Sequence, residues 1–219
     1  MRKFQLLIFD WDGTLVDSEG MIVATMQAAI RELNLPPRGD AQIGELIGLG
    51  LNDVLERLYP DLDQAQLHKL YDGYRIRFMS QGINDAPLFA GAEDTLKKLH
   101  GEGHRLAIAT GKSRRGLDRS LKLHSGIGAL ISHSRCADET ASKPDPLMLR
   151  ELLEETGLEA KQALMIGDTE YDMAMAKSIG ITALGVTCGV HDPERLLQTG
   201  AVAVIETVRE LPAWLHERT

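Results

Sequence analysis

The sequence predicts an α/β fold, with a doubly wound, Rossmann-like parallel sheet as its core and an all-helical subdomain inserted into it. Three observations lead to this prediction. Short apolar runs of strand length alternate with helix-length periodic segments. The runs are unbroken, which is typical of parallel strands that helices cover on both faces. After the first run, the segment 16–87 carries helical patterns but no convincing strand.

Four apolar runs have the composition of buried strands: 6–9, 106–109, 163–166 and 181–186. Periodic segments between them predict core helices at 92–101, 114–123, 146–156 and 171–179. Asp10, Thr110 and Asp168 each follow one of the runs. Because ligands of a doubly wound sheet bind outside the carboxyl ends of its strands, we expect these three residues at the functional edge.

The inserted segment predicts a helical subdomain over residues 16–87, with a discontinuous core formed by 1–15 and 88–219. Its helical patterns cover 17–33, 41–47, 51–59 and 63–81. Pro36-Pro37 and Gly48-Leu49-Gly50 interrupt the patterns, as turn residues do between helices.

Composition excludes several functional classes. The chain has 219 residues and a net charge of −8, with only 5% aromatic residues. Nucleic-acid binders normally carry a basic surface, so we expect no nucleic-acid partner. No apolar run is long enough for a membrane span and no secretory signal is evident, so we expect no membrane partner. Cys136 and Cys188 form no CxxC pair, which favours a reducing compartment and a cytoplasmic location.

The sharpest local signal is the run Asp10-Trp11-Asp12-Gly13-Thr14-Leu15-Val16-Asp17-Ser18. Side chains two apart at a strand end point to the same side, so the carboxylates of Asp10 and Asp12 should converge. A turn followed by a helix that Asp17 or Ser18 caps explains the end of the run but not the two acids. Two such charges about 4 Å apart repel by about 4 kcal/mol at an effective dielectric near 20, so a cation or a shared proton is expected.

A second acidic segment, Gly167-Asp168-Thr169-Glu170-Tyr171-Asp172, follows another strand and opens a helix. Asp168 and Asp172 are four residues apart, a spacing that places them on one helix face. Acids in a first helical turn are common, because they interact favourably with the helix dipole. Combined with Asp10 and Asp12, however, this segment favours a site for a hard cation, for which Mg²⁺ is the natural choice.

Two further segments offer groups for an anion. Thr110-Gly111 ends a strand and supplies a hydroxyl and free backbone N–H groups. Gly111-Lys112-Ser113 does not complete a nucleotide-binding P-loop, because Leu106 stands where that motif needs glycine. Lys143 lies in a proline-flanked turn, and its spacing alone indicates an ordinary solvated charge.

These segments, in this order, closely resemble the haloacid dehalogenase-like (HAD) superfamily of phosphohydrolases. The first motif, Asp-x-Asp-Gly-Thr-Leu-x-Asp-Ser, is matched at every fixed position by residues 10–18. The helical insert resembles the small cap of the subgroup that contains phosphoglycolate phosphatases and β-phosphoglucomutases. The tail 185–190 is most similar to the phosphoglycolate phosphatase branch.

The resemblance implies a phosphoric monoester hydrolase in which Asp10 is the nucleophile and forms an aspartyl-phosphate, and Asp12 is the general acid and base. It implies that Thr110, Gly111 and Lys143 hold the phosphoryl group. It further implies that Mg²⁺ is bound by Asp10, the backbone carbonyl of Asp12 and Asp168, with Asp172 orienting the waters of the metal or Lys143.

The expected partner is a small-molecule phosphate ester of the phosphoglycolate type, and the expected oligomeric state is a monomer or a homodimer. The loop 48–52 is the candidate specificity loop, although it has no basic residue, and Arg75 and Arg77 are the nearby basic candidates of the cap. Another phosphometabolite, a nucleotide monophosphate, pyrophosphate or a β-phosphoglucomutase-like phosphotransfer remain open. A non-enzymatic alternative is a phosphoacceptor signalling module that resembles a response-regulator receiver.

Overall fold

The computed structural model describes residues 4–80 and 86–217. In this part of the chain, six parallel strands form one sheet in the order β3-β2-β1-β4-β5-β6. The strands are β1 (Leu6–Phe9), β2 (Arg105–Thr110), β3 (Ile131–Cys136), β4 (Ala163–Gly167), β5 (Thr182–Val186) and β6 (Ala201–Ile205). The strand order reverses between β1 and β4, which is where an open α/β sheet forms its ligand crevice.

Helices cover both faces of the sheet, and β1 shows why. Leu7 and Phe9 pack into one apolar cluster, whereas Leu6 and Ile8 pack into a second cluster on the opposite face. Alternate side chains of a strand point to opposite faces, so an unbroken apolar run requires a covering layer on each side. The covering helices are α5 (Ala92–Gly101), α6 (Arg114–Leu123), α7 (Ser125–Gly128), α8 (Leu147–Thr156), α9 (Glu170–Ser178), α10 (Pro193–Thr199) and α11 (Leu211–His216). Short 3₁₀ turns lie at Ala160–Gln162 and Val208–Glu210.

The inserted segment carries four helices in the described residues and has its own apolar cluster. They are α1 (Glu19–Glu32), α2 (Asp40–Gly44), α3 (Leu51–Leu58) and α4 (Gln64–Ser80). Met26, Ile43, Leu55 and Leu70 lie at the centre of this cluster, and Tyr171 of the sheet domain packs into it. The predicted α/β fold with an inserted helical cap is confirmed, and we use the term cap for α1–α4 and their connections.

The two connections between cap and core run side by side. The backbone N–H of Asp17 donates to the carbonyl of Pro87 at 2.9 Å, and that of Phe89 donates to the carbonyl of Leu15 at 3.0 Å. The domain boundaries at 16–87 stay a prediction. Residues 81–85 of that range lie outside the described residues, as do residues 1–3 and 218–219 of the predicted core.

Two strands were not predicted, and both are edge strands. The sequence of β3 is Ile-Ser-His-Ser-Arg-Cys, which has no apolar run, and most of its side chains are only half-buried. At the opposite edge, β6 has the sequence Ala-Val-Ala-Val-Ile, and one of its side chains, Val202, is largely exposed. Three short helices, α7, α10 and α11, were also not predicted, because each is too short for a clear period.

Candidate active site

The loop after β1 brings Asp10 and Asp12 to the carboxyl edge of the sheet, where both are buried. The backbone N–H of Asp10 donates to the carbonyl of Ile166 at 2.9 Å, which continues the pairing of β1 with β4. Gly13 follows with φ 77°, and a Cβ there would lie 2.2 Å from Oδ2 of Asp168. Glycine is therefore required at this position for both backbone conformation and space.

Asp10, Asp168 and Asp172 form a buried cluster in which one carboxylate oxygen of each lies within 4.8 Å of the other two. Asp168 and Asp172 come from the end of β4 and the first turn of α9. A Cβ at Gly167 would lie 2.4 Å from the carboxyl carbon of Asp172, so glycine at the strand end lets this side chain fold back over the sheet. The predicted meeting of the two acidic segments is thereby observed.

Lys143 lies inside the carboxylate cluster. Its Nζ atom is 2.8 Å from Oδ2 of Asp10 and 2.7 Å from Oδ1 of Asp172, and its side chain has no exposed surface. The interpretation of Lys143 as a solvated charge, which its spacing alone indicated, is wrong. Burial acts to lower the pKa of Lys143, but Asp10 and Asp172 outweigh burial and raise it, so the ammonium stays charged.

Asp172 has a structural role as well as a place in the cluster. Its Oδ2 accepts hydrogen bonds from the hydroxyl of Thr169 at 2.7 Å and from the backbone N–H of Thr169 at 3.2 Å. This arrangement is a capping box at the start of α9, with Thr169 as the N-cap. Asp172 therefore serves the start of α9 with one carboxylate oxygen and contacts Lys143 with the other.

Asp168 is held by two donors and enclosed by glycines. Its Oδ1 accepts the hydroxyl of Thr14 at 2.8 Å, and its Oδ2 accepts the backbone N–H of Val190 at 3.0 Å. A Cβ at Gly189 would lie 2.1 Å from Oδ2 of Asp168, which leaves room for no other residue there. Burial raises the pKa of Asp168 to about 7 with a further contribution from Asp172, while the two donors oppose the shift.

The cluster holds more negative than positive charge when its three carboxylates are ionised. Burial raises the pKa of Asp10 well above its usual value; Lys143 opposes this shift, and Asp172 and Asp168 add to it. Three carboxylates share one ammonium, so full ionisation leaves a buried negative charge that only a further cation would neutralise. A set of buried oxygen ligands with no sulfur or imidazole suits Mg²⁺ rather than a softer metal. The residues present fit a divalent cation.

The carboxylate of Asp12 is not part of this cluster and has partners of its own. It pairs with Nζ of Lys112 at 2.8 Å, and its Oδ1 also accepts the hydroxyl of Ser18 at 2.6 Å. Ser18 is the N-cap residue of α1, but its side chain makes no capping hydrogen bond to the helix. Its hydroxyl donates to Asp12 instead. Lys112 was not predicted as a site residue. Its position two residues after Thr110, at a strand end, could have indicated that the two side chains lie on the same side.

Thr110 and Gly111 lie where the cap meets the end of β2. Thr110 is fully buried, and its hydroxyl accepts the backbone N–H of Lys112 at 3.2 Å. Gly111 lies against the carbonyl groups of Gly48 and Leu49, and the backbone N–H of Gly50 donates to Oγ of Ser142 at 2.8 Å. The loop predicted to set specificity thus contacts Gly111, one of the predicted phosphate-binding residues.

A cavity of about 250 Å³ lies between core and cap, with Asp10, Asp12, Thr110 and Gly111 in its wall. Cap residues of α1, the 47–54 segment and α4 form most of the remaining lining. Of the two basic candidates in the cap, Arg75 lines the cavity, whereas Arg77 is held in an ion pair with Glu32.

A second contact between cap and core lies outside the cavity. Glu45, at the end of α2, pairs with Nη1 of Arg195 at 2.5 Å, and Arg195 also contacts Glu170 at 2.6 Å. The hydroxyl of Tyr171 donates to the carbonyl of Glu45 at 3.1 Å. Glu45 is therefore a cap residue that two core side chains, those of Arg195 and Tyr171, contact directly.

Within the described ranges, none of the helices combines the length and the apolar character that a membrane crossing needs.

Residues 7–186 match the family model described as haloacid dehalogenase-like hydrolase. The chain is 31% identical over 217 residues to a protein of Dickeya dadantii named Probable phosphatase IndB, with 96% of this chain and 93% of that protein covered. It is 32% identical over 206 residues to a phosphoglycolate phosphatase of Vibrio cholerae, with 89% of each covered. The crystal structure of a hydrolase from Pseudomonas syringae superimposes with a TM-score of 0.88 at 26% identity and covers 99% of both chains.

Proposed function

The chain belongs to the haloacid dehalogenase-like hydrolase family, and we propose that it is a Mg²⁺-dependent phosphatase that hydrolyses a small phosphomonoester through an aspartyl-phosphate on Asp10. The observation that carries the proposal is the buried contact of Asp10 with Lys143 beside two further carboxylates, at the wall of a substrate-sized cavity. An ion pair with only a structural role would not be expected at the edge of the sheet where ligands bind.

In the first step, a carboxylate oxygen of Asp10 attacks phosphorus and the bond from phosphorus to the ester oxygen breaks. Asp12 is protonated at this step and gives its proton to the departing alcohol oxygen, so a neutral alcohol leaves and an acyl phosphate remains on Asp10. Lys143 is charged and contacts Oδ2 of Asp10 at 2.8 Å, so it offsets the repulsion between the nucleophile and the anionic ester.

In the second step, a water attacks the phosphorus of the aspartyl-phosphate and gives its proton to Asp12. The phosphorus–oxygen bond to Asp10 breaks, which restores the carboxylate and releases inorganic phosphate. The ion pair with Lys112 and the hydrogen bond from Ser18 fix the orientation of Asp12 for both proton transfers. The hydroxyl of Thr110 and the N–H of Gly111 are proposed to bind the phosphoryl oxygens.

Asp10, Asp168 and the backbone carbonyl of Asp12 would hold the metal ion, and Asp172 would orient Lys143 through their 2.7 Å contact. When bound, Mg²⁺ would neutralise part of the negative charge that the carboxylates and the phosphate bring together. The closely related proteins named phosphatase and phosphoglycolate phosphatase support a small phosphate ester as the substrate. We propose a cytoplasmic enzyme that acts as a monomer or a homodimer.

The test is the isosteric substitution Asp10→Asn, assayed for phosphate release from phosphomonoesters with Mg²⁺. We expect turnover to fall to the background rate, because an amide cannot attack phosphorus. Wild-type protein quenched in acid during turnover should carry one phosphoryl group on Asp10 by mass spectrometry, and Asp10→Asn should carry none. Asp145→Asn, at an exposed acid in the turn after Lys143, is the matched control and should keep wild-type turnover.

Undiminished phosphate release in Asp10→Asn would refute the mechanism. A phosphorylated wild-type protein that persists for minutes and releases no alcohol from esters would favour the signalling module. Transfer of the phosphoryl group to a sugar in preference to water would favour a phosphotransferase.

A further inference from the structure

We propose that the preferred substrate is the phosphate ester of a neutral alcohol that carries an apolar ring, and that Phe78 and its neighbours in the cap select this ring. The inference rests on the proposed phosphatase function and adds the chemistry of the leaving group. It follows from what lines the cavity on the side away from the phosphate-binding residues.

The cap side of the cavity is an apolar and aromatic wall. Tyr74 and Phe78, one turn apart on α4, stack with ring centroids 5.7 Å apart. Met26 and Ile47, both almost completely buried, continue the wall from α1 and from the turn after α2. Covering such a surface with an apolar group lowers the free energy of binding. A charged group would lose its hydration there without finding a polar partner.

The wall adjoins the reacting groups. Asp12, the proposed proton donor to the leaving alcohol, lies in the same cavity. Its partner Lys112 places Nζ 4.9 Å from the centre of the Phe78 ring. Burial and the nearby charge of Asp12 raise the pKa of Tyr74, which keeps its hydroxyl neutral beside the acid. The alcohol part of a bound ester therefore faces Tyr74 and Phe78.

The charges of the lining argue against a second carboxylate on the substrate. Among the residues that the structure describes, Arg75 is the one cationic residue of the lining that forms no ion pair, and it is exposed. The charge of Lys112 is offset by Asp12. Asp53 and Asp138 also line the cavity and would repel a carboxylate. The lining thus has no net positive charge available for a substrate such as phosphoglycolate.

The size of the cavity agrees with a ring. Its volume of about 250 Å³ is close to the lower end of the range for small-molecule pockets, roughly 300–1,000 Å³. A two-carbon acid would leave most of the apolar wall in contact with water. A ring attached through one carbon would cover part of this wall, which includes Phe78.

The experiment compares kcat/KM for benzyl phosphate, ethyl phosphate and 2-phosphoglycolate in the presence of Mg²⁺. Benzyl alcohol and ethanol are similarly poor leaving groups, so their difference reports binding of the ring rather than intrinsic reactivity. We expect kcat/KM to be at least about tenfold higher for benzyl phosphate than for the other two esters, which is the size of effect that one apolar group gives in such a pocket.

Variants of α4 test whether the wall is responsible. Phe78→Ala should reduce the preference for benzyl over ethyl phosphate to about threefold or less, and Phe78→Leu should retain most of it. Ile76→Ala is the matched control, because Ile76 lies on the same helix, is 65% exposed and does not line the cavity. Ile76→Ala should keep the wild-type preference.

A binding measurement complements the kinetics. Benzylphosphonate, which cannot be hydrolysed, should raise the melting temperature of wild-type protein more than ethylphosphonate does at equal concentration. Phe78→Ala should abolish this difference. Equal or greater kcat/KM for 2-phosphoglycolate or ethyl phosphate, or a preference that survives in Phe78→Ala, would overturn the inference while leaving the phosphatase function intact. Hydrolysis of none of the three esters would overturn both.

Discussion

Gly111 at the end of β2 lies against the carbonyl of Leu49 in the cap so closely that a Cβ at position 111 would be 2.5 Å from that oxygen. The backbone of Gly111 does not need the left-handed region, so space alone requires glycine here. This contact brings the cap loop onto the phosphate-binding edge of the sheet. The loop can lie this close only because residue 111 has no Cβ.

Gly111→Ala should therefore separate the cap loop from the core. Backbone atoms meet the added methyl group, so the loop has to shift by about 1 Å, and a misplacement of that size can cost about 10²-fold in rate. We expect a fall of this order in kcat/KM for a phosphomonoester. The control is Gly20→Ala in α1, where an added Cβ has no neighbour within 4 Å and activity should be kept. Wild-type kcat/KM in Gly111→Ala would contradict this account of the contact.

Lys143→Met should destabilise the protein strongly. The substitution leaves Asp10 and Asp172 without their buried cation, and breaking such a pair typically costs about 3–5 kcal/mol. The free energy of unfolding from urea titration measures the loss. Lys161→Met removes a lysine whose ion pair with Glu159 is exposed, and no measurable change is expected. Equal losses in the two variants would refute the role of Lys143 in compensating the acidic cluster.

Asp168 should make the stability of the metal-free protein depend on pH. Its pKa rises from 3.8 to about 7 on folding, so between these values the folded chain binds more protons at Asp168 than the unfolded chain. The stabilisation that Asp168 contributes is complete below the pKa of its unfolded form and is lost as the pH rises towards 7. The total loss is on the order of 4 kcal/mol.

The comparison of wild type with Asp168→Asn isolates this contribution, because an amide keeps an acceptor for Val190 and can donate to Thr14. The stability of Asp168→Asn relative to wild type, both metal-free, should increase from pH 4.5 to pH 7.5, roughly across the window of the pKa shift. Mg²⁺ should raise the melting temperature of wild type more than that of the variant. Asp61→Asn, at an exposed acid, is the control. A difference between wild type and variant that does not change with pH would contradict the prediction.

The ion pair of Glu45 with Arg195 should affect cap closure more than stability. Glu45 is 47% exposed and Arg195 is 29% exposed, so a double-mutant cycle should give a coupling of only about 0.2–1 kcal/mol. Glu45→Gln should raise KM a few-fold, and added salt should raise the KM of wild type towards that of the variant, because salt screens exposed charges. Glu93→Gln removes a core helix pair with Lys97 and should leave KM unchanged. A salt-independent KM in wild type would exclude a role for this pair in closure.

The sequence alone predicted the fold class and the meeting of the acidic segments. Unbroken apolar runs such as 6–9 specify buried parallel strands, and all carboxyl ends of such strands lie at one edge. Asp10 and Asp168 follow two of these runs, so their proximity follows from topology. The edge strand β3 escaped prediction because its pattern is polar, and its place in the sheet depends on pairing with β2.

Local spacing determined which acids could meet, but it did not determine which charges would pair. Lys143 lies on a turn whose sequence is that of an ordinary surface loop, and only the packing of that loop against β1 and α9 buries it between Asp10 and Asp172. The same holds for Lys112 beside Asp12 and for Glu45 beside Arg195, which are 100 and 150 residues apart in the chain. Hydrophobic periodicity is a local property that a chain carries in its order of residues, whereas the partner of a charge is fixed only when distant segments fold into contact.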